Sequence, residues 1–243
     1  MNSILKVKDL KKIYSSNVIF ENISFDLNKN EIISILGPSG IGKTTILNII
    51  SGIYKKFSGD IDLNTEISGI SNNFSFSQAK DLLIPWKNII DNSVFALELS
   101  GMNKATSYPI AKKLMKDFFL EGSENMFPHQ LSKGMRQRVS LIRSFLTNRP
   151  IMLLDEPFSP LDSITREDLQ DWLINILKKH NKSVVLVTHD IDEALKLSDK
   201  VIVLNGNPAK IVGNLKINKK TNLPKLKIKI KGLLKKWLKL LNF

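Results

Sequence analysis

The chain has 243 residues, 42% of them apolar, enough for a sizeable core in one large domain or two small ones. It has no cysteine and three histidines, which excludes disulfides and thiolate metal sites, offers little for a histidine-rich site and fits a reducing compartment. The formal charge of +13 suggests nucleic acid or an anionic membrane surface, yet residues 216–243, with ten lysines and no acid, carry +10 of it and leave the rest near neutral.

In chain order, residues 1–30 read as short, partly alternating strands, antiparallel to one another, and "MNSILKVKDLKK" lacks the apolar block of a signal peptide. "EIISILG" (31–37) reads as a buried strand leading into a helix at 43–53, and residues 57–76 as further short antiparallel strands. Residues 85–147 are mostly helical, with helices at 108–119 and 132–147, and form a lobe of their own. Buried strands then follow at "IMLLDE" (151–156), "SVVLVTH" (183–189) and "KVIVLN" (200–205), with helices at 163–180 and 190–197. These strands lack clean alternation, as expected when both faces are covered, and strands alternating with helices imply a mainly parallel α/β sheet. All the apolar runs are far shorter than the roughly 20 residues of a membrane span, so a cytosolic chain is expected.

The chemistry begins at "GPSGIGKTT", Gly37, Pro38, Ser39, Gly40, Ile41, Gly42, Lys43, Thr44 and Thr45, which follows a strand and opens a helix. Glycines let successive backbone N–H groups face one anion, and the helix N-terminus adds its dipole. In this arrangement Lys43 reaches the β- and γ-phosphates and the Thr44 hydroxyl can ligate Mg²⁺. "IMLLDEP" brings Asp155 and Glu156 to the carboxyl end of a strand, where ligands bind in open parallel sheets. There Asp155 would hold Mg²⁺ through its shell and Glu156 would polarise an attacking water; two adjacent acids also suit a solvated strand end or a helix cap. His189 ends "SVVLVT" at the same edge and is a candidate γ-phosphate contact. "LSKGMRQRV" starts a helix capped by Ser132, with Lys133 in the first turn against the helix dipole, unfavourable by roughly 0.3 to 1 kcal/mol.

The order of these motifs resembles the ATP-binding-cassette family over residues 3–215: "GPSGIGKTT", Gln78 in "FSFSQAKD", "LSKGMRQRV", "IMLLDEP", "SPLD" and "VTHD". The resemblance implies a P-loop NTPase (RecA-like) parallel sheet core with an N-terminal antiparallel β subdomain and an inserted α-helical subdomain at about 85–147, residues 216–243 being an extension. It implies a dimer that sandwiches two ATP molecules, each between the P-loop of one subunit and the signature helix of the other. Tyr14 would stack on adenine, Gln78 would sense Mg²⁺ and the water, Ser132 and Gly134 would contact the γ-phosphate in trans, and Asp162 would link the sites across the dimer. Tyr14 can also be read as simply packed. The family usually has Gly where this chain has Lys133, and sometimes a small residue where it has Pro160. Lys133 either helps neutralise the γ-phosphate or points to solvent.

"DLLIPWKNIIDNSVFALELSG", with Met135 and Arg136, is similar to ATPases of importers for nitrate, sulfonates, taurine and related solutes such as thiamine precursors. That resemblance implies transmembrane permease subunits, an extracytoplasmic solute-binding protein as an indirect partner, and a place at the cytoplasmic face of the membrane. Leu82, Leu83, Pro85 and Trp86 form an apolar patch suited to anchoring a partner, unless Trp86 plugs the lobe's core. In the tail, Leu, Ile and Lys alternate up to Lys231; Leu233, Leu234, Trp237, Leu238 and Leu241 then share one helical face. Such a basic helix suits an anionic leaflet, the chain's own body or the membrane subunit. The rival readings are an exporter ATPase, an ATPase acting on nucleic acid or the ribosome, and a catalytically weak regulatory cassette. Nucleic acid is not an expected partner, because the chain has neither long coiled-coil insertions nor a second cassette.

Overall fold

In the computed structural model, which describes residues 3–65, 70–159, 161–218 and 221–238, the alternating N-terminal residues form two long antiparallel strands, β1 (Ser3–Tyr14) and β2 (Asn17–Asn28). Leu5, Val7 and Leu10 on β1, and Phe20, Ile23, Phe25 and Leu27 on β2, supply their buried faces. The mainly apolar runs become fully buried strands, β3 (Ile32–Leu36) and β7 (Ser183–Thr188). β4 (Ser58–Leu63) adds antiparallel to β1, while β8 (Lys200–Gly206) and β9 (Ala209–Lys216) form a hairpin. The chain divides into two units, Met1–Phe74 with Asn181–Phe243, and Ser75–His180. In the first, the strand order is β4-β1-β2-β9-β8-β3-β7, and β3 runs parallel to both β7 and β8. That sheet is more mixed than the alternation of strands and helices implies, because β1, β2, β4 and the β8–β9 hairpin bring antiparallel pairings.

α1 (Lys43–Ile50) follows β3 and ends three residues short of the expected 53, at a Ser51–Gly52 turn. α6 (Ile191–Leu197) follows β7, capped by Asp190, whose side chain accepts from the N–H groups of Asp192 and Glu193. The tail packs on the chain's own body and is helical from further upstream than Leu233. Residues that alternate Leu, Ile and Lys lie within α7 (Leu223–Leu238), a helix packed on β8, β9 and α6. Ile230 is fully buried, and Leu226, Leu233 and Leu234 pack with it. Burial of an isoleucine of this kind contributes about 1.5–3 kcal/mol. Of the expected apolar face, Leu241 lies outside the described residues, as do Pro160 and residues 66–69 of the 57–76 segment.

The second unit holds β5 (Phe74–Ser77) beside β6 (Ile151–Asp155), and α2 (Ile89–Leu99), α3 (Lys104–Asp117), α4 (Lys133–Leu146) and α5 (Ser163–Lys179). Side chains of Asn88, Asn103, Ser132 and Asp162 cap the four helices in that order, each accepting a backbone N–H of the first turn. With Asn103 as cap, α3 starts at Lys104, four residues before the expected 108, and Pro109 falls inside it. The fully buried Phe118 meets Phe145 and Trp172 edge-on, centroids 5.3 and 4.6 Å away, the geometry aromatic quadrupoles favour. Among the described residues no helix is long and apolar enough to cross a membrane.

Candidate nucleotide site

β3 delivers the glycine-rich loop to the carboxyl edge of the first unit's sheet. Leu36 pairs with Thr188, and the Gly37 N–H donates to the Thr188 carbonyl at 3.3 Å, so the loop and His189 leave the sheet side by side. Gly42 caps α1 at φ 102°, and a Cβ there would stand 2.9 Å from Ile19 Cγ2 and 3.0 Å from Phe20 Cδ1. Neither the backbone nor the space admits another residue without strain. The first turn of α1 has no acidic residue and no side-chain cap, which keeps its N-terminus an attractive end for an anion. Lys43 is 5% exposed, and its ammonium donates to the Gly37 and Pro38 carbonyls, both at 2.9 Å. Pro38, Ser39, Gly40 and Thr44 are exposed; Ile41, Gly42 and Thr45 are half-buried.

Pro38, Ser39, Gly40 and Ile41 face Ile19, Gly206 and Asn207 across a groove of about 270 Å³. The far wall is absent from the motif reading; its sequence signal is "NGNP" (205–208), a turn at the end of a buried strand. Tyr14 ends β1, 44% exposed, with the Lys12 ammonium 4.5 Å from its ring centroid. His189 is exposed.

In the second unit Asp155 closes β6 at 6% exposure, and half-buried Glu156 follows it at φ 44°. A non-glycine residue held in that region costs on the order of 1–3 kcal/mol, the kind of strain that collects at functional sites. Gln78 is exposed just past β5. The loop after it is tied to α4: Arg143 donates to the Asp81 and Leu82 carbonyls, both at 2.9 Å, and Arg136 Nε to Asp81 Oδ2 at 3.0 Å. Burial pushes the Arg143 guanidinium down from its ordinary value.

Asn92, fully buried, holds the next turn through the Ile84 N–H at 2.7 Å and the Ile84 and Lys87 carbonyls. Trp86 therefore stands on a fixed turn, 79% exposed, and does not plug the lobe's core. Leu82 and Pro85 are exposed with it; Leu83, expected in the same patch, is turned inward at 9%. At α4, Ser132 Oγ accepts from the Met135 N–H at 3.2 Å, Lys133 is exposed and Gly134 is buried. Asp162 is the cap of α5. The loop Gly37–Thr45, Tyr14 and His189 thus belong to the first unit, and Gln78, Ser132, Gly134, Asp155, Glu156 and Asp162 to the second.

A buried lysine at the mouth of a strand–loop–helix turn is the working element of one class of proteins, the P-loop nucleoside triphosphatases, and this fold is theirs. Comparison with known proteins narrows the class: residues 20–159 match the model of the ABC transporter family, and the chain belongs to that family as an ATPase cassette. It is 41% identical over 219 residues, 88% of this chain and 82% of the relative, to an uncharacterised ABC transporter ATP-binding protein of Methanocaldococcus jannaschii. It is 36% identical over 216 residues, 88% of this chain and 85% of the relative, to the taurine import ATP-binding protein of Escherichia coli K12. Among solved structures, it resembles a dimeric ATP-binding cassette in a post-hydrolysis state with ADP and Pi (TM-score 0.75, 29% identity, 88% of this chain and 99% of that one). The fold alone is shared with a cassette of the cbiONQ transporter complex of Clostridium perfringens (TM-score 0.81, 21% identity, 97% and 94%).

Proposed function

We propose that the chain is the ATP-hydrolysing subunit of an importer for a small solute of the taurine, sulfonate or nitrate kind. It works as a dimer on permease subunits at the cytoplasmic face of the membrane, and a solute-binding protein acts with it indirectly. The observation that carries this reading is the 36% identity along 85% of a taurine import ATPase. The exposed Trp86 on its fixed turn supports it as an anchor for a permease segment. Residues 1–215 would serve as the cassette and 216–243 as its extension. Lipid contact by the tail would rest on exposed Lys225, Lys229, Lys231 and Lys235, since the described apolar face of α7 is taken up by the body.

The loop amides and Lys43 hold the phosphates, Tyr14 stacks on the base, and Ser132 and Gly134 of a second copy close over the γ-phosphate, with Asp162 joining the two sites. Thr44, Gln78 and Asp155 are all hard oxygen donors, the set that suits Mg²⁺, which would neutralise charge developing on the phosphates when bound. Glu156 takes the proton of the attacking water and His189 steadies the γ-phosphate.

The test is phosphate release by the purified chain beside Glu156→Gln. Loss of about 10²–10⁴-fold with nucleotide binding retained is expected; an unchanged rate would remove Glu156 as base. Uptake of radiolabelled taurine, sulfonates and nitrate in a deletion strain tests the importer role, and normal uptake of all of them would overturn it.

A further inference from the structure

We propose that α7 is a brace for the nucleotide groove, with Asn205 the positioning residue that connects them. The motifs account for Pro38–Ile41 in the lining of that groove; it is completed by Ile19 of β2 and by Gly206 and Asn207, at the turn between β8 and β9. Asn205 stands beside that turn: it is 2% exposed, and its Oδ1 accepts the Gly206 N–H at 2.9 Å. Its Nδ2 donates to two carbonyls of α7, those of Leu233 at 2.9 Å and Leu234 at 3.0 Å. One buried amide therefore spends its acceptor on the groove lining and both donors on the tail helix, so the backbone at Gly206 is tied to α7 through a single side chain.

Packing runs the same way. Ile230, Leu226, Leu233 and Leu234 share a core cluster with Val203 of β8, Leu215 of β9 and Leu36, the residue before the phosphate loop. A Cβ on Gly213 of β9 would meet Leu233 Cδ1 at 2.8 Å, and one on Gly37 would meet the Leu204 carbonyl at 2.9 Å. Helix, hairpin and loop are thus in direct contact in sequence, the kind of contiguous packed path that carries energetic coupling. Leu226, Ile230, Leu233 and Leu234 serve the site from behind, and Lys225, Lys229, Lys231 and Lys235 are exposed, where an anionic partner of α7 would alter nucleotide affinity.

The proposal rests on the groove being the nucleotide site, and titration of the full chain with a fluorescent ATP analogue separates the two ideas. Asn205→Asp keeps the acceptor for Gly206 and sets a carboxylate against the two α7 carbonyls. Its dissociation constant, and the KM for ATP, should rise about tenfold while kcat changes less than twofold; Asn205→Gln should recover part of the loss. Leu27→Val, a core change in β2 on the same unit, should lower the melting temperature without moving the dissociation constant. Equal affinity in Asn205→Asp and the unaltered chain, or an equal loss in Leu27→Val, would overturn the brace alone. Binding by the unaltered chain no tighter than by Lys43→Ala would overturn the nucleotide site and the brace together.

Discussion

Gly42 bears the tightest local demand in the phosphate loop. Its left-handed backbone and the 2.9 Å approach of Ile19 Cγ2 to a would-be Cβ act together, so Gly42→Ala meets both strain and a clash. A loss of about 1–3 kcal/mol in urea unfolding is expected, with ATP-analogue affinity down at least tenfold, because Lys43 follows directly; normal affinity would show that the loop tolerates the shift. At this scale the sequence was highly legible where spacing is local. Gly37–Thr45, Asp155 and Glu156 sit within a few residues of a strand end, so strand pattern and motif locate them together. Ile19 and Asn205 were illegible, because what makes them matter is contact with residues far along the chain.

Among the elements, α3 ends on Asp117, a carboxylate at the helix end that disfavours negative charge. The Lys179 ammonium, 2.7 Å away at the end of α5, outweighs this and holds the Asp117 carboxyl below its ordinary range; nearby His180 adds to the effect. The sign follows from the lowered value. Stability from this tie is present above the ordinary aspartate range and is lost as pH falls through the folded value, below about 4. Asp117→Asn should lower the urea midpoint at pH 7, and the gap to the unaltered chain should narrow as pH falls below about 4. A gap that stays constant would mean that packing, not charge, is the link.

Elements with one dominant pattern were legible: β3, β6 and β7 as short, mainly apolar runs, α4 as a helical stripe behind its Ser132 cap and α5 as a helical stripe. The tail helix was legible from its basic, one-sided pattern, but its start at Leu223 was not, because Lys and Ile alternating at 225–230 blur the helical period and only the fit of Leu226, Ile230, Leu233 and Leu234 onto the β8–β9 hairpin extends the helix over them. β9 was missed because its exposed residues alternate weakly and its partner strand fixes it.

For the whole molecule, the proposed dimer would set one copy's folding against two copies' assembly at Lys133. In the isolated chain it stands exposed in the first turn of α4, against the positive end of the helix, at a cost of roughly 0.3–1 kcal/mol. In the proposed dimer the same charge would gain an anionic partner beside a triphosphate held by a second copy, so its contribution should change sign on ATP-driven dimerisation. Lys133→Gln should therefore raise the unfolding free energy of the single chain by a few tenths of a kcal/mol. In the Glu156→Gln background, where ATP is retained, the same change should weaken the dimer several-fold in sedimentation velocity. The difference between Lys and Gln should shrink as salt rises, because screening acts on the charge alone. A dimer of Lys133→Gln as tight as its parent, or tighter, would leave the lysine a solvated residue that the signature helix merely tolerates.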